Sequence, residues 1–226
     1  MGTERHVRGE RIEVRRSRAR ILEAAETLFE TQLPEPTMSE LAATAGVSSA
    51  TLYRRFPTIE AVIAALHDQL MGHFEDVARE AALEQTGWDA LVTAITGIAH
   101  TIGRHPAIPS IYRKMAQLDP DYQLGPQWDA MLKEIGRRAH AEGMLRPDVE
   151  INDATMAAFR IGEYGLLPEP ARTLVISRQL AIVIDGLRAV SATTQVPGVE
   201  VSTENVNAYI HIEAARKSAD GRREQP

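Results

Sequence analysis

Residues 37–57, TMSELAATAGVSSATLYRRFP, constrain this chain more than any other segment. Thr37 opens a short helix, and Glu40 three residues later completes a capping box, each side chain serving the other's backbone. Leu41, Ala42 and Ala45 supply that helix's inner face, and Gly46 suits the left-handed turn that ends it. Ser48 then caps another short helix, with Leu52 and Phe56 inward and Pro57 at its end. The pattern predicts helix, tight turn, helix, with Ala45, Val47 and Leu52 packed between the two and over a preceding helix. The outer face of the second helix carries Ser49, Ala50, Tyr53 and Arg54 at i, i+1, i+4 and i+5, beside Ser48 and Thr51. Short hydroxyls, a small apolar group, a phenol and a guanidinium suit a helix pressed into the DNA major groove. Arg54 can bind guanine O6/N7 or a phosphate, Tyr53 and Ser48 can donate to phosphates, and Ala50 or Thr51 can touch a thymine methyl. The bland alternative is a short helical hairpin inside a bundle.

The rest of the chain is also helical in its spacing. From Ser17, the residues Ile21, Leu22, Ala25, Leu28 and Phe29 form one stripe, which Pro34 and Pro36 stop. Thr58 caps a longer helix reaching about Leu83, with Glu60 in its first turn. Further helices are expected near 88–104, 107–117, 124–142, 153–164 and 169–193. No strand alternation competes with them, so the fold class is all-α, with nine or ten helices. Four segments are expected. Residues 1–14 form a mobile, partly helical basic arm. Residues 15–60 form a three-helix head and residues 61–195 a larger helical body. Residues 196–226 form an extension with an amphipathic helix over 201–217, Val206, Tyr209 and Ile210 inward, and a disordered end from 218.

Charge is divided along the chain. The whole carries −6, but residues 1–20 hold seven Arg against three Glu, and residues 58–226 carry −7. A basic end on an acidic body suits a nucleic-acid contact confined to that end. Arg16 and Arg18 are therefore candidate phosphate or minor-groove contacts.

The stretch from Ser17 to about Leu66 resembles the DNA-binding domain of TetR-type transcriptional regulators. The resemblance rests on ILEAAETLF at 21–29, Thr37, Leu41-Ala42, Ala45-Gly46-Val47-Ser48, and Leu52-Tyr53-Arg54-Arg55-Phe56. It implies an N-terminal helix-turn-helix domain joined to a helical domain that binds an effector and dimerises. It also implies DNA contacts by Thr37, Ser48, Ser49, Tyr53 and Arg54. One departure stands out. The family often opens its fourth helix with a phosphate-binding lysine, and this chain has Ile59 there. Either that phosphate contact is lost, or Arg55 or the N-terminal arginines supply it.

In the body, residues 173–190 (TLVISRQLAIVIDGLRAV) are apolar nearly all round, so that helix must be covered on more than one side. Ala154, Ala157, Ala158, Ile161 and Gly162 form a small-residue stripe on the helix before it. Together they suggest a four-helix interface in a homodimer, through Ala154, Ala158, Ile161, Leu180, Val183, Ile184 and Leu187. A buried helix in a monomer is the competing reading. Candidates for an effector pocket are Met71, Phe74, Trp88, His100, Tyr112, Met115, Trp128, Met131, Phe159 and Tyr164, with Tyr122 and Met156 beside them and Arg160, His100 and Glu163 as polar anchors; for each one singly, plain core packing is the stronger competing reading. They suit an apolar or aromatic small molecule.

Several chemistries are not expected. The chain has no cysteine, so thiolate metal sites, disulfides and a cysteine nucleophile are excluded. Its seven histidines include no i, i+4 pair, and no phosphate-cradling or nucleophile-elbow motif occurs. No metal, cofactor or enzyme activity is expected. Nor is a signal segment or membrane span, and the location expected is the cytoplasm. The function expected is a DNA-binding regulator, most often a repressor, that binds a palindromic double-stranded operator as a homodimer and is released by a small effector. Control by a protein partner through the 196–226 extension is the alternative. A helical module that no longer binds DNA is a third reading, with Ile59 as its only hint.

Overall fold

Ten α-helices account for the described part of the chain in a computed structural model that covers residues 2–30, 35–198 and 202–223. They are α1 (Gly2–Glu30), α2 (Met38–Thr44), α3 (Ser49–Arg55), α4 (Ile59–Ala82), α5 (Gly87–Arg104), α6 (Ile108–Leu118), α7 (Pro126–Ala141), α8 (Ile151–Gly162), α9 (Ala171–Leu187) and α10 (Thr203–Arg223). Short 3₁₀ turns follow α8 (Glu163–Leu166) and α9 (Ala189–Ser191). Among the described residues there is no strand, and no helix is long and apolar enough to cross a membrane.

Helix α1 runs back to Gly2, through the segment expected as a partly helical arm. No proline interrupts residues 2–30. Pro34, read as a helix stop, lies outside the described residues, as do Val199–Val201 and residues 224–226. The tail helix α10 continues to Arg223, past the 218 boundary expected for disorder. Tyr209, expected inward on it, is 54% exposed, whereas Val206 and Ile210 are half-buried.

Helix α9 stops at Leu187, six residues before the end that periodicity suggests. The reason is tertiary. The backbone N–H of Arg146 donates to the Leu187 carbonyl at 3.0 Å, and Ala189 donates to Met144 O at 2.9 Å. The Arg146 side chain also donates to Gly186 O and Thr194 O while forking onto both oxygens of Asp148. That ion pair holds the Asp148 carboxyl well below its usual range, with the Val196 N–H helping.

Two apolar clusters organise the molecule. One joins Ile21, Ala25 and Phe29 of α1, Leu41 of α2 and Leu52 of α3 to Ile63, Leu66 and Phe74 of α4, and continues into Ile111 and Tyr112 of α6. It crosses residue 60 without a break, because α4 serves the head with its first half and the body with its second. The other cluster joins Leu91 and Ile95 of α5, Ile135 of α7, Ala154 and Ala158 of α8, and Ile176 and Leu180 of α9. At the α5–α8 crossing a Cβ on Gly162 would sit 2.5 Å from that of Ile102, so only glycine lets these helices approach so closely.

Candidate functional site

The head is built from local signals. The Thr37 hydroxyl accepts from Glu40 N–H at 3.2 Å, and Glu40 Oε2 accepts from the Thr37 N–H and hydroxyl, both at 2.8 Å. Those bonds hold the Glu40 carboxyl below its ordinary range, the backbone bond foremost. Gly46 takes φ +61°, and Val47 N–H returns to Ala42 O at 3.0 Å. Ser48 Oγ accepts from Thr51 N–H at 3.2 Å and lies 2.9 Å from the Thr51 hydroxyl. With Leu52 buried beneath, α3 turns Ser49, Ala50, Tyr53 and Arg54 outward, and Tyr53 is 55% exposed. Thr37 and Ser48 are exposed beside them, and Thr51 is half-buried.

The base of α1 is fastened to the end of α3. Arg55 Nε donates to Ser17 Oγ at 3.4 Å, and the Arg18 guanidinium lies 4.9 Å from the Phe56 ring centroid. Arg18 thus has a packing role within the head, while Arg16 is exposed. Ile59 is half-buried against the head cluster, where it anchors the start of α4 beside the Thr58 cap.

In the body, α4, α6, α7 and α8 bring six of the expected pocket residues together: Met71, Phe74, Tyr112, Met115, Trp128 and Phe159. Tyr112 stacks on Phe159 at 5.8 Å between centroids and on Phe74 at 6.5 Å, and Phe74 meets Trp128 at 5.5 Å. The Tyr112 hydroxyl reaches Met71 Sδ at 3.5 Å. Tyr122 joins the group, and so does His67, which was not among the sequence candidates. His67 Nε2 and the Tyr122 hydroxyl are 3.0 Å apart. Burial lowers the His67 pKa, against the raising effect of Asp68, and burial raises the tyrosine values. The signal for His67 was its spacing: 67, 71 and 74 are i, i+4 and i+7 on one helix face.

The other candidates lie elsewhere. Trp88 is in the second cluster, with the Arg188 guanidinium 4.6 Å from its ring centroid, and Met131 borders that cluster. Met156 and His100 are half-buried, and desolvation with nearby Arg104 lowers the His100 pKa. Arg160 is exposed and pairs with Glu163 at 2.8 Å, and Tyr164 is 43% exposed on the 3₁₀ turn.

Residues 21–66 match the family described as "Bacterial regulatory proteins, tetR family". The uncharacterized HTH-type transcriptional regulator Rv2250c of Mycobacterium tuberculosis is 30% identical over 142 residues, spanning 61% of this chain and 74% of the relative. The chain belongs to the TetR family. It is therefore a DNA-binding transcriptional regulator. Solved structures agree on the fold. A gamma-butyrolactone receptor (ArpA-like protein) aligns with TM-score 0.62 at 19% identity, over 90% of this chain and 97% of its own. The ketosteroid transcriptional regulator KstR2 of Mycobacterium tuberculosis aligns with TM-score 0.59 at 22% identity, over 76% and 94%.

The interface residues expected for this TetR-family chain need correction. Ala154, Ala158, Ile161, Leu180 and Leu187 are buried in the chain's own second cluster, so they offer no surface to a partner. The small-residue stripe of α8 serves the approach to α5 instead. Val183 and Ile184 are half-buried. The large apolar side chains left outward at this end are Tyr164, Leu166, Leu174, Ile182 and Val190, between 43% and 90% exposed.

Proposed function

We propose that this regulator is a repressor that binds a palindromic operator as a homodimer and leaves it when a small apolar or aromatic molecule wedges into the packed ring cluster around Tyr112, opening a chamber there. The observation that carries the reading is the shared use of α4 and α6. Helix α4 packs under the head at Ile59 and Ile63 and carries Met71 and Phe74 of the ring cluster, with His67 on the same face. Side chains tie the body to the head as well: His105 Nδ1 meets Glu26 Oε1 of α1 at 2.5 Å, and Lys114 Nζ of α6 meets Glu35 Oε2 at 2.8 Å. A ligand that separates Tyr112 from Phe74 must move α6 or α4, and either movement reaches the head. Such a ligand shifts DNA affinity only by its preference between the two arrangements, typically about 1–3 kcal/mol.

The DNA contacts proposed are Ser48, Ser49, Ala50, Thr51, Tyr53 and Arg54, with Thr37 and Arg16 on the backbone and Arg18 supporting from its place on Phe56. Dimerisation through the outward side of α9 fits both the exposed Leu174 and Ile182 and the geometry of operators. Two recognition helices about 34–36 Å apart read an inverted repeat. The chamber's rings suit a flat or alicyclic effector, and the structural neighbours are named for a gamma-butyrolactone and for ketosteroids. Selection of random duplex DNA by the ligand-free protein tests the reading. An enriched inverted repeat supports it, and no enrichment at low salt from a folded protein overturns it.

A further inference from the structure

The family match ends at residue 66, and α10 lies far beyond it. Its position is specific. Helix α10 lies along α6 and grips the loop between α6 and α7 at two backbone points. His211 Nε2 donates to the Tyr122 carbonyl at 2.9 Å, and Asn207 Oδ1 accepts from the Leu124 N–H at 2.9 Å. Between those points runs a segment that packs on the ring cluster. Tyr122 is buried with its hydroxyl on His67, Leu124 packs on the same cluster, and Trp128 follows in the first turn of α7. A third tie holds the start of α10, where the Thr203 hydroxyl donates to Asp129 Oδ1 at 2.7 Å.

Val206 and Ile210 are only half-buried, and residues 192–198 leading toward the helix are all exposed. An open cleft of about 440 Å³ separates the start of α10 from α7 and α8, lined by Lys133, Arg137, His140, Asn152 and Thr203. A helix held by half-buried apolar side chains and a few part-buried polar bonds opens at lower free energy than the fully buried core helices.

We propose that α10 is a releasable strap that keeps the chamber shut by pinning residues 122–124, and that a ligand enters only when the strap lifts. The proposal rests on reading the chamber as the effector site. Its chemistry is simple. Two hydrogen bonds to loop backbone are exchanged for water, Tyr122 swings out from His67, and the chamber gains a mouth between α6 and α7.

Stopped-flow binding of the apolar dye 8-anilinonaphthalene-1-sulfonate to the full chain tests this. The protein has two tryptophans, so Trp88→Phe leaves Trp128 of the ring cluster as the reporter, and energy transfer from Trp128 reports dye bound on its side of the molecule. In that background Asn207→Ala/His211→Ala should raise the association rate about tenfold. An unchanged rate with normal transfer overturns the strap while keeping the chamber. Absence of transfer in both proteins removes the chamber, and the strap with it. A second variant works in the opposite direction. Asp129→Cys/Thr203→Cys joins positions whose side chains already meet, in a chain with no other cysteine. Once loss of free thiols shows the bridge has formed, dye entry should slow and recover on reduction, and equal rates in both redox states overturn the proposal.

Discussion

The head and the body reach their surfaces by different routes. In the head, the outward face of α3, proposed above to meet DNA, is set within twenty-one residues: a capping box, one left-handed glycine, one serine cap and a buried leucine aim α3. In the body, what α9 presents depends on neighbours far away in sequence. Leu180 and Ile182 are two residues apart on α9, yet one is 4% exposed and the other 60%. A recognition surface written locally can be read locally, whereas one written by packing cannot.

The sharpest way to break this comparison is a matched pair on α9. Leu180→Asp places an unpaired carboxylate in the second cluster, and the protein should fail to fold, as far-ultraviolet circular dichroism would show. Ile182→Asp should leave folding within about 0.5 kcal/mol of the parent while a dimer built on that face falls apart in sedimentation. If both variants unfold, or neither does, the assignment of inward and outward faces is wrong.

Next in size is Arg54→Ala in the head. Loss of one base or phosphate contact should weaken operator binding by about 1–3 kcal/mol with no change in thermal midpoint. Unchanged affinity in a titration would take Arg54 off the interface. Thr37→Ala should lower stability by about 0.5–2 kcal/mol in denaturant unfolding, because it removes the α2 cap. No loss would show that the capping box does not hold the head.

The smallest effect expected is one of pH. Burial lowers the folded-state pKa of His67 below 6.5, while the unfolded chain protonates near that value. Between the two the unfolded state binds the extra proton, so stability is highest above pH 6.5 and falls as pH drops through it. The thermal midpoint should decline from pH 7.5 to 5.5, and His67→Gln should flatten the decline. An equal slope in the variant would place the effect in His73 or His100, whose pKa values burial also lowers.

The helix boundaries were largely legible, because caps, glycines and prolines act over one turn. Helices α4 to α8 begin and end within about two residues of where those signals put them. Helix α9 was read too long because its end is made by Arg146, some forty residues earlier. The motif position of Ile59 shows only that a phosphate-binding lysine is missing, and the structure adds what the isoleucine does instead, packing at the foot of α4. The pocket candidates were chosen by residue type, and type does not separate Phe74 in the chamber from Trp88 in the other cluster.

The amino-acid sequence alone determined that this chain is helical, that its basic end carries a helix-turn-helix, and which side chains α3 turns outward. Each of those depends on bonds spanning three to five residues, which a short stretch specifies completely. Tertiary structure alone decided which aromatic rings meet, which side of α9 stays open and where α10 docks. The contacts responsible join residues 55, 79 and 89 positions apart, as His67 meets Tyr122, Glu26 meets His105 and Tyr122 meets His211. Such pairs form only once ten helices have packed together, because each helix face finds its partner by the space the others leave.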